Sequence, residues 1–157
     1  MDKDTSRSID TISRTCIAVR LRLLNRVVTN FYDDALRPLG LKVSQLNILI
    51  VTAKLGLARP AQVCDLLQLD ASTLSRNLRP LVTAGWIELL PGPDGRSRLV
   101  QGTAAGRDKR QEAQRRWRVA QESLNQRLGA QRVVALHALL DECQDLLADL
   151  PEGEMHD

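Results

Sequence analysis

Apolar positions in the first part of the chain return at helical spacing. Ile9, Ile12, Cys16, Val19, Leu23, Val27 and Phe31 are separated by steps of three or four. The stripe predicts one helix from Ile9 to Leu36, about 28 residues long, ended by Pro38 and Gly40. A second helix is expected from Ser44 as N-cap to near Gly56, with Leu46, Leu49, Ile50 and Ala53 on one face. Pro60 suits the first turn of a third, whose apolar residues are Val63, Leu66 and Leu67. Asp70 caps a fourth, Ala71 to about Ala84, and Gly85 stops it.

The pattern then changes. Trp86 to Leu90 reads as a short strand and Ser97 to Gln101 as its return. Between them Pro91-Gly92-Pro93-Asp94-Gly95 is dense in turn residues. Thr103 caps a fifth helix with Ala113, Trp117, Ala120, Leu124 and Leu128 as its stripe. Gly129 interrupts it. A sixth follows, carrying Val133, Leu136, Leu140, Cys143, Leu147 and Leu150. The end, 151–157, is expected to fray. The fold class is therefore mainly α with one β-hairpin, a winged helix-turn-helix at 41–103. An N-terminal helix at 9–40 and C-terminal helices at 104–150 flank it. The joint Gln68-Leu69-Asp70 has the length a helix-turn-helix needs.

Composition narrows the function. The 157 residues carry 22 basic and 19 acidic side chains, a net charge of +3. Residues 141–157 hold seven acids and no Lys or Arg, so the rest of the chain is at +10. Six bases against two acids fall in 107–118. Only Phe31, Tyr32, Trp86 and Trp117 are aromatic, too few for single-strand stacking platforms. No apolar run approaches a membrane span and Met1 to Asp10 has no signal-peptide core, so a cytoplasmic protein without membrane contact is expected. Cys16, Cys64 and Cys143 form no metal-binding spacing, and His137 and His156 stand apart. No metal and no cofactor is expected. Catalysis is disfavoured as well: His137 and Cys143 lie six apart on one helix, a net rotation of about 240° that turns them away from each other.

The polar residues gather where a duplex reader needs them. Ser72, Thr73, Ser75, Arg76 and Asn77 fill the first two turns of the fourth helix, opposite Leu74, Leu78 and Leu81. Hydroxyls and a helix N-terminus suit phosphate oxygens. Arg76 and Asn77 are candidates for base edges, arginine favouring guanine and asparagine adenine. Arg96 lies just past the hairpin tip, suited to a narrow minor groove. Arg98, Arg59, Gln62 and Arg79 are further backbone candidates. Arginine outnumbers lysine 18 to 4, in keeping with phosphate recognition.

Leu69-Asp70-Ala71-Ser72-Thr73-Leu74-Ser75-Arg76-Asn77-Leu78 and Leu81-Val82-Thr83-Ala84-Gly85-Trp86-Ile87 resemble the MarR family of bacterial transcriptional regulators. Asp94-Gly95-Arg96-Ser97 looks like that family's D-x-R wing signature. Thr103-Ala104-Ala105-Gly106 matches the T-x-x-G start of the following helix. The likeness runs over roughly 9–150. It implies a homodimer held by the terminal helices, through Ile9, Ile12, Cys16, Val19, Leu23, Leu124, Leu128, Leu136, Leu140 and Leu147. It implies double-stranded DNA as partner, read as a pseudo-palindromic operator with half-sites ~34 Å apart. It implies that Asp94 orients Arg96. Repression in the family is relieved by a small-molecule inducer or by thiol oxidation. The first route points to a pocket near Leu39, Leu41, Val43, Leu46 and Trp86. The second points to Cys16 as a redox sensor, near Arg14 and Arg20, although Val43 and Arg20 stand where the hydroperoxide-sensing branch has tyrosines. Two positions depart from the pattern. Pro80 falls inside the reading helix, where a kink is expected. Gly102 replaces the usual apolar residue before Thr103. The reading from another class is a dimeric protein-interaction module that keeps the winged fold without binding DNA.

Overall fold

The computed structural model describes residues 15–148. Helix α1 runs Ile17–Leu36 and passes into a 3-10 turn, Arg37–Leu39, closed by Gly40 in the left-handed region. Helix α2 is Val43–Leu55, α3 is Pro60–Leu67 and α4 is Ala71–Thr83. Strands β1, Ile87–Pro91, and β2, Arg98–Gly102, form an antiparallel hairpin. Helix α5, Ala104–Leu128, and α6, Ala130–Ala148, complete the chain. The described part divides into two compact units, one ending at Arg118 and one beginning at Val119.

The long N-terminal helix of the sequence reading is corrected at one point. Cys16 has extended backbone angles, φ −72° and ψ 115°, and serves as N-cap of α1. The helix therefore has 20 residues, and the stripe does not run unbroken through Cys16. Ile9, Ile12 and Arg14 lie outside the described residues.

Helix α2 is the hub of the first unit. It buries Gln45, Leu46, Ile48, Leu49, Val51 and Thr52, which together leave little of its surface to solvent. The single apolar face expected from Leu46, Leu49, Ile50 and Ala53 was too narrow: Ala53 is exposed, and Ile48 and Val51 join the core. The N-cap is Lys42, not Ser44. Lysine has no acceptor to offer, so the first amides are satisfied from elsewhere. Gln45 Oε1 accepts the Lys42 N–H at 2.9 Å, and Asp33 Oδ1 of α1 accepts the Val43 N–H at 2.7 Å.

Around α2 the core gathers Leu36, Leu39 and Leu41 from the α1 end, Val63 from α3 and Leu74, Leu78 and Leu81 from α4. Ile87 and Val100 of the hairpin and Ala113 of α5 also belong to it. Leu66 does not; it is 49% exposed, leaving Val63 and half-buried Leu67 to anchor α3. Trp117 of α5 stacks on Tyr32 of α1, ring centroids 6.2 Å apart, and desolvation raises the Tyr32 pKa. Leu39, Leu41 and Leu46, expected beside an inducer pocket, are buried members of this core.

Both strands lie one residue beyond their expected bounds, with Ile87 opposite Gly102, Leu89 opposite Val100 and Pro91 opposite Arg98. A third segment joins them. Ala58, between α2 and α3, exchanges both backbone bonds with Val100, at 2.8 and 3.0 Å. Its single residue of pairing is too short to leave a strand signature in the sequence.

The hairpin's junction with α5 is clamped by Thr103. Its N–H donates to Trp86 O at 3.1 Å and its hydroxyl donates to Gly85 O at 2.7 Å. The same hydroxyl oxygen accepts the Gly106 N–H at 3.0 Å, capping α5 as expected. Gly106 packs so closely that a Cβ there would stand 2.0 Å from Trp86 O.

In the second unit Gly129, φ 83°, lets the chain pass from α5 into α6. Leu140 and Leu147 are exposed within the single chain, as are Val134, Leu139 and Leu146. Leu124, Leu128 and Leu136 are half-buried, and Cys143 is exposed rather than packed.

Candidate nucleic-acid interface

The loop into α4 is closed by Gln68, which takes the left-handed conformation at φ 51°. Asp70 then caps the helix. Its Oδ1 accepts the Thr73 N–H at 2.7 Å and the Ser72 hydroxyl at 2.5 Å; its Oδ2 accepts the Thr73 hydroxyl at 2.7 Å. These donors, the Ser72 hydroxyl first, hold the Asp70 carboxyl well below the usual carboxylate range. The expectation that both hydroxyls are free for phosphate is thereby revised: they hold the cap.

Arg76 is exposed one turn later, and its Nη2 donates to Thr73 Oγ1 at 3.0 Å. Its guanidinium keeps further donors for a partner. Ser75 and Arg79 are also exposed. Asn77 is half-buried on the inner side of the helix. Its Nδ2 donates to Thr73 O at 2.9 Å, and its Oδ1 accepts the Ser44 hydroxyl at 2.9 Å. Both ends of this amide are engaged inside the unit, which corrects its reading as an adenine contact. Helix α4 runs through Pro80, and the Ala84 N–H returns to Pro80 O at 3.0 Å.

The wing tip is built by Asp94. Its Oδ1 accepts the Ser97 hydroxyl at 2.6 Å, the Ser97 N–H at 2.7 Å and the Arg96 N–H at 3.1 Å. The same donors, Ser97 hydroxyl first, lower its pKa. Gly92 N–H closes the loop onto Ser97 O at 2.8 Å, and a Cβ on Gly92 would stand 2.0 Å from Ser97 Oγ. Asp94 thus holds Arg96 through its backbone. No ion pair among the described residues engages the Arg96 guanidinium, which is exposed.

Arg98 and Arg79 border an apolar groove of about 390 Å³ between α4 and the hairpin. Arg59 is exposed at the start of α3, where Gln62 Oε1 accepts its N–H at 2.9 Å, so Gln62 acts first as a cap. Sequence reasoning missed Ser44 and Asp33, whose partners lie 33 and 10 residues away and leave no local signal. Among the described residues no group of three His, Cys, Asp or Glu side chains is placed to hold a metal. No described helix is long and apolar enough to cross a membrane.

The model of the MarR family matches residues 39–97, the span from the end of α1 to the wing tip. Over this span the chain is similar to the MarR family. Over 87 residues it is 30% identical to the multiple antibiotic resistance protein MarR of Escherichia coli (strain K12), covering 55% of this chain and 60% of that protein. It is 32% identical over 85 residues to the Salmonella typhimurium protein of the same name, covering 54% and 59%. The matches thus span less than two thirds of these relatives' length. Among solved structures, a mutant of the Escherichia coli protein in complex with operator DNA superposes with a TM-score of 0.74 at 25% identity. That alignment covers 84% of this chain and 96% of the other. The winged helix fold is thus common to both.

Proposed function

We propose that the chain is a sequence-specific, double-stranded-DNA-binding transcriptional regulator. The observation that carries this reading is the pairing of two preset arginines. Arg76 is held on the exposed side of α4 by Thr73, and Arg96 is presented at a wing tip that Asp94 closes from within. A helix of this kind reads the major groove, and an arginine-tipped wing reaches the adjacent minor groove. Arg59, Arg79 and Arg98 add phosphate contacts. The operator-bound relative supports the assignment.

The regulator acts as a homodimer. Ile17, Leu23 and Val27 on α1, and Leu140 and Leu147 on α6, leave apolar surface that a single chain does not cover. A twofold pair of wings implies a pseudo-palindromic operator with half-sites ~34 Å apart. The activity is repression, released by a small ligand or by thiol oxidation. The groove beside α4 offers a ligand a place that competes with DNA, and Cys16 is a free, half-buried thiol at the start of α1. Selection of bound sequences from a random duplex pool tests the reading. An enriched sequence with twofold symmetry is expected. Failure to enrich any sequence would return the chain to the protein-interaction reading.

A further inference from the structure

Helix α4 carries Leu74, Leu78 and Leu81 on its buried side, and Asn77 is set among them. Close packing of these leucines already restrains the helix, but it fixes a rotation less sharply than a bond of set length and angle does. A hydrogen bond has a fixed length and a preferred angle. The 2.9 Å bond from the Ser44 hydroxyl to Asn77 Oδ1 therefore selects one roll angle relative to α2. The other end of the same amide is fixed to Thr73 O, and the Thr73 hydroxyl receives the Arg76 guanidinium at 3.0 Å. Helix α2 is itself fixed at this end, because Asp33 of α1 holds the Val43 N–H. Hydrogen bonds, joined by the chain at Val43–Ser44 and at Thr73, thus link α1 through Ser44 and Asn77 to Arg76.

We infer that Ser44 is a specificity-determining positioning residue. Through Asn77 it sets the rotation of α4, and so the placement of Arg76 against base edges, without touching DNA. The inference rests on the DNA-binding reading above. Base readout demands placement within about 0.5 Å and 10–20°, whereas phosphate attraction tolerates far more. Losing the Ser44 hydroxyl should therefore cost discrimination between sequences and leave non-specific binding intact.

The test uses the full chain and the duplex it selects from a random pool, compared with a scrambled duplex of the same length. Ser44→Ala is expected to lower the ratio of the two affinities about fivefold. Affinity for the scrambled duplex and its salt dependence should stay near wild type, while the melting temperature falls by only the few degrees that one hydrogen bond carries. Ser44→Thr, which keeps a hydroxyl, should restore the ratio. Asn77→Ala should lower it too, and adding Ser44→Ala to it should bring little further loss, since the two act as one unit. Unchanged discrimination in Ser44→Ala would overturn the inference. So would a uniform loss of both affinities together with melting temperature, which is what a merely structural role produces. A wild-type chain that enriches no sequence would overturn the DNA-binding reading itself, and this inference with it.

Discussion

Replacing Gly106 by alanine sets two effects of opposite sign against each other. Gly106 lies in the first turn of α5, where alanine is the better helix former by about 1 kcal/mol. On propensity alone the variant is more stable. The added Cβ, however, would stand 2.0 Å from Trp86 O and 2.9 Å from Trp86 C. Both are backbone atoms, so no side chain can rotate away. The helix start must retreat by roughly 1.5 Å to reach ordinary contact distance. Overpacking of this kind costs about 1–3 kcal/mol. The retreat also strains the Thr103 clamp, whose two bonds to Trp86 O and Gly85 O contribute about 1 kcal/mol each. With the propensity gain subtracted, a net loss of about 3 kcal/mol is expected. Urea unfolding of the full chain at fixed protein concentration measures it, and the midpoint should fall by about 1–2 M without a change in slope. Ala105→Gly is the control: Ala105 is exposed, so only the propensity term of about 1 kcal/mol should be lost. A Gly106→Ala protein as stable as wild type, or more so, would refute the close-approach reasoning.

Arg96→Ala should weaken binding to the selected operator by about tenfold, checked by gel shift at constant salt. Equal affinity would remove the wing from the interface. The lowered pKa values of Asp70 and Asp94 fix a sign for pH. Their contribution is fully present above the ordinary carboxylate pKa of about 4 and is lost as pH falls through the depressed values. Thermal midpoints should therefore be insensitive to these groups from neutral pH down to about 5 and drop below about 4, with a smaller acid-side drop in Asp94→Asn. Leu140→Asp with Leu147→Asp should yield a monomer by sedimentation and abolish cooperative operator binding; an intact dimer would place the interface elsewhere. Cys16→Ser should lose oxidant-induced release from DNA, and an unchanged response would remove Cys16 as the sensor.

The elements that punctuation residues mark were legible in the sequence. Pro60, Asp70, Gly85 and Gly129 act on their own neighbours, and the boundaries they set agree with α3, α4 and the α5–α6 joint. Boundaries set by distant partners were not. Ser44 looks like an N-cap, but the helix begins two residues earlier because Asp33 satisfies the Val43 amide from another helix. The hairpin strands are displaced by one residue, in keeping with the Trp86 carbonyl and the Thr103 clamp at their outer end. The candidate site shows the same division. Exposed Arg76 and Arg96 follow from spacing and turn chemistry. The inward use of Asn77 depends on a hydroxyl 33 residues away, and one helix turn cannot reveal whether an amide faces solvent or a neighbouring helix. Ala58 is a single bridging residue with no alternation around it.

Asp33 also bears on where this protein can be cut. The wing and reading helix are spanned by 41–103, the piece a sequence reader would excise for DNA work. Such a fragment would begin after the carboxylate that caps α2 and end before Ala113 and Trp117, which close its core. It would expose the hub helix at both its start and its flank. A fragment beginning near Asn30 and ending at Arg118 keeps the cap, the Tyr32–Trp117 stack and the Thr103 clamp together. The compact unit around the motif is thus longer than the motif itself, because two walls of its core come from helices outside 41–103.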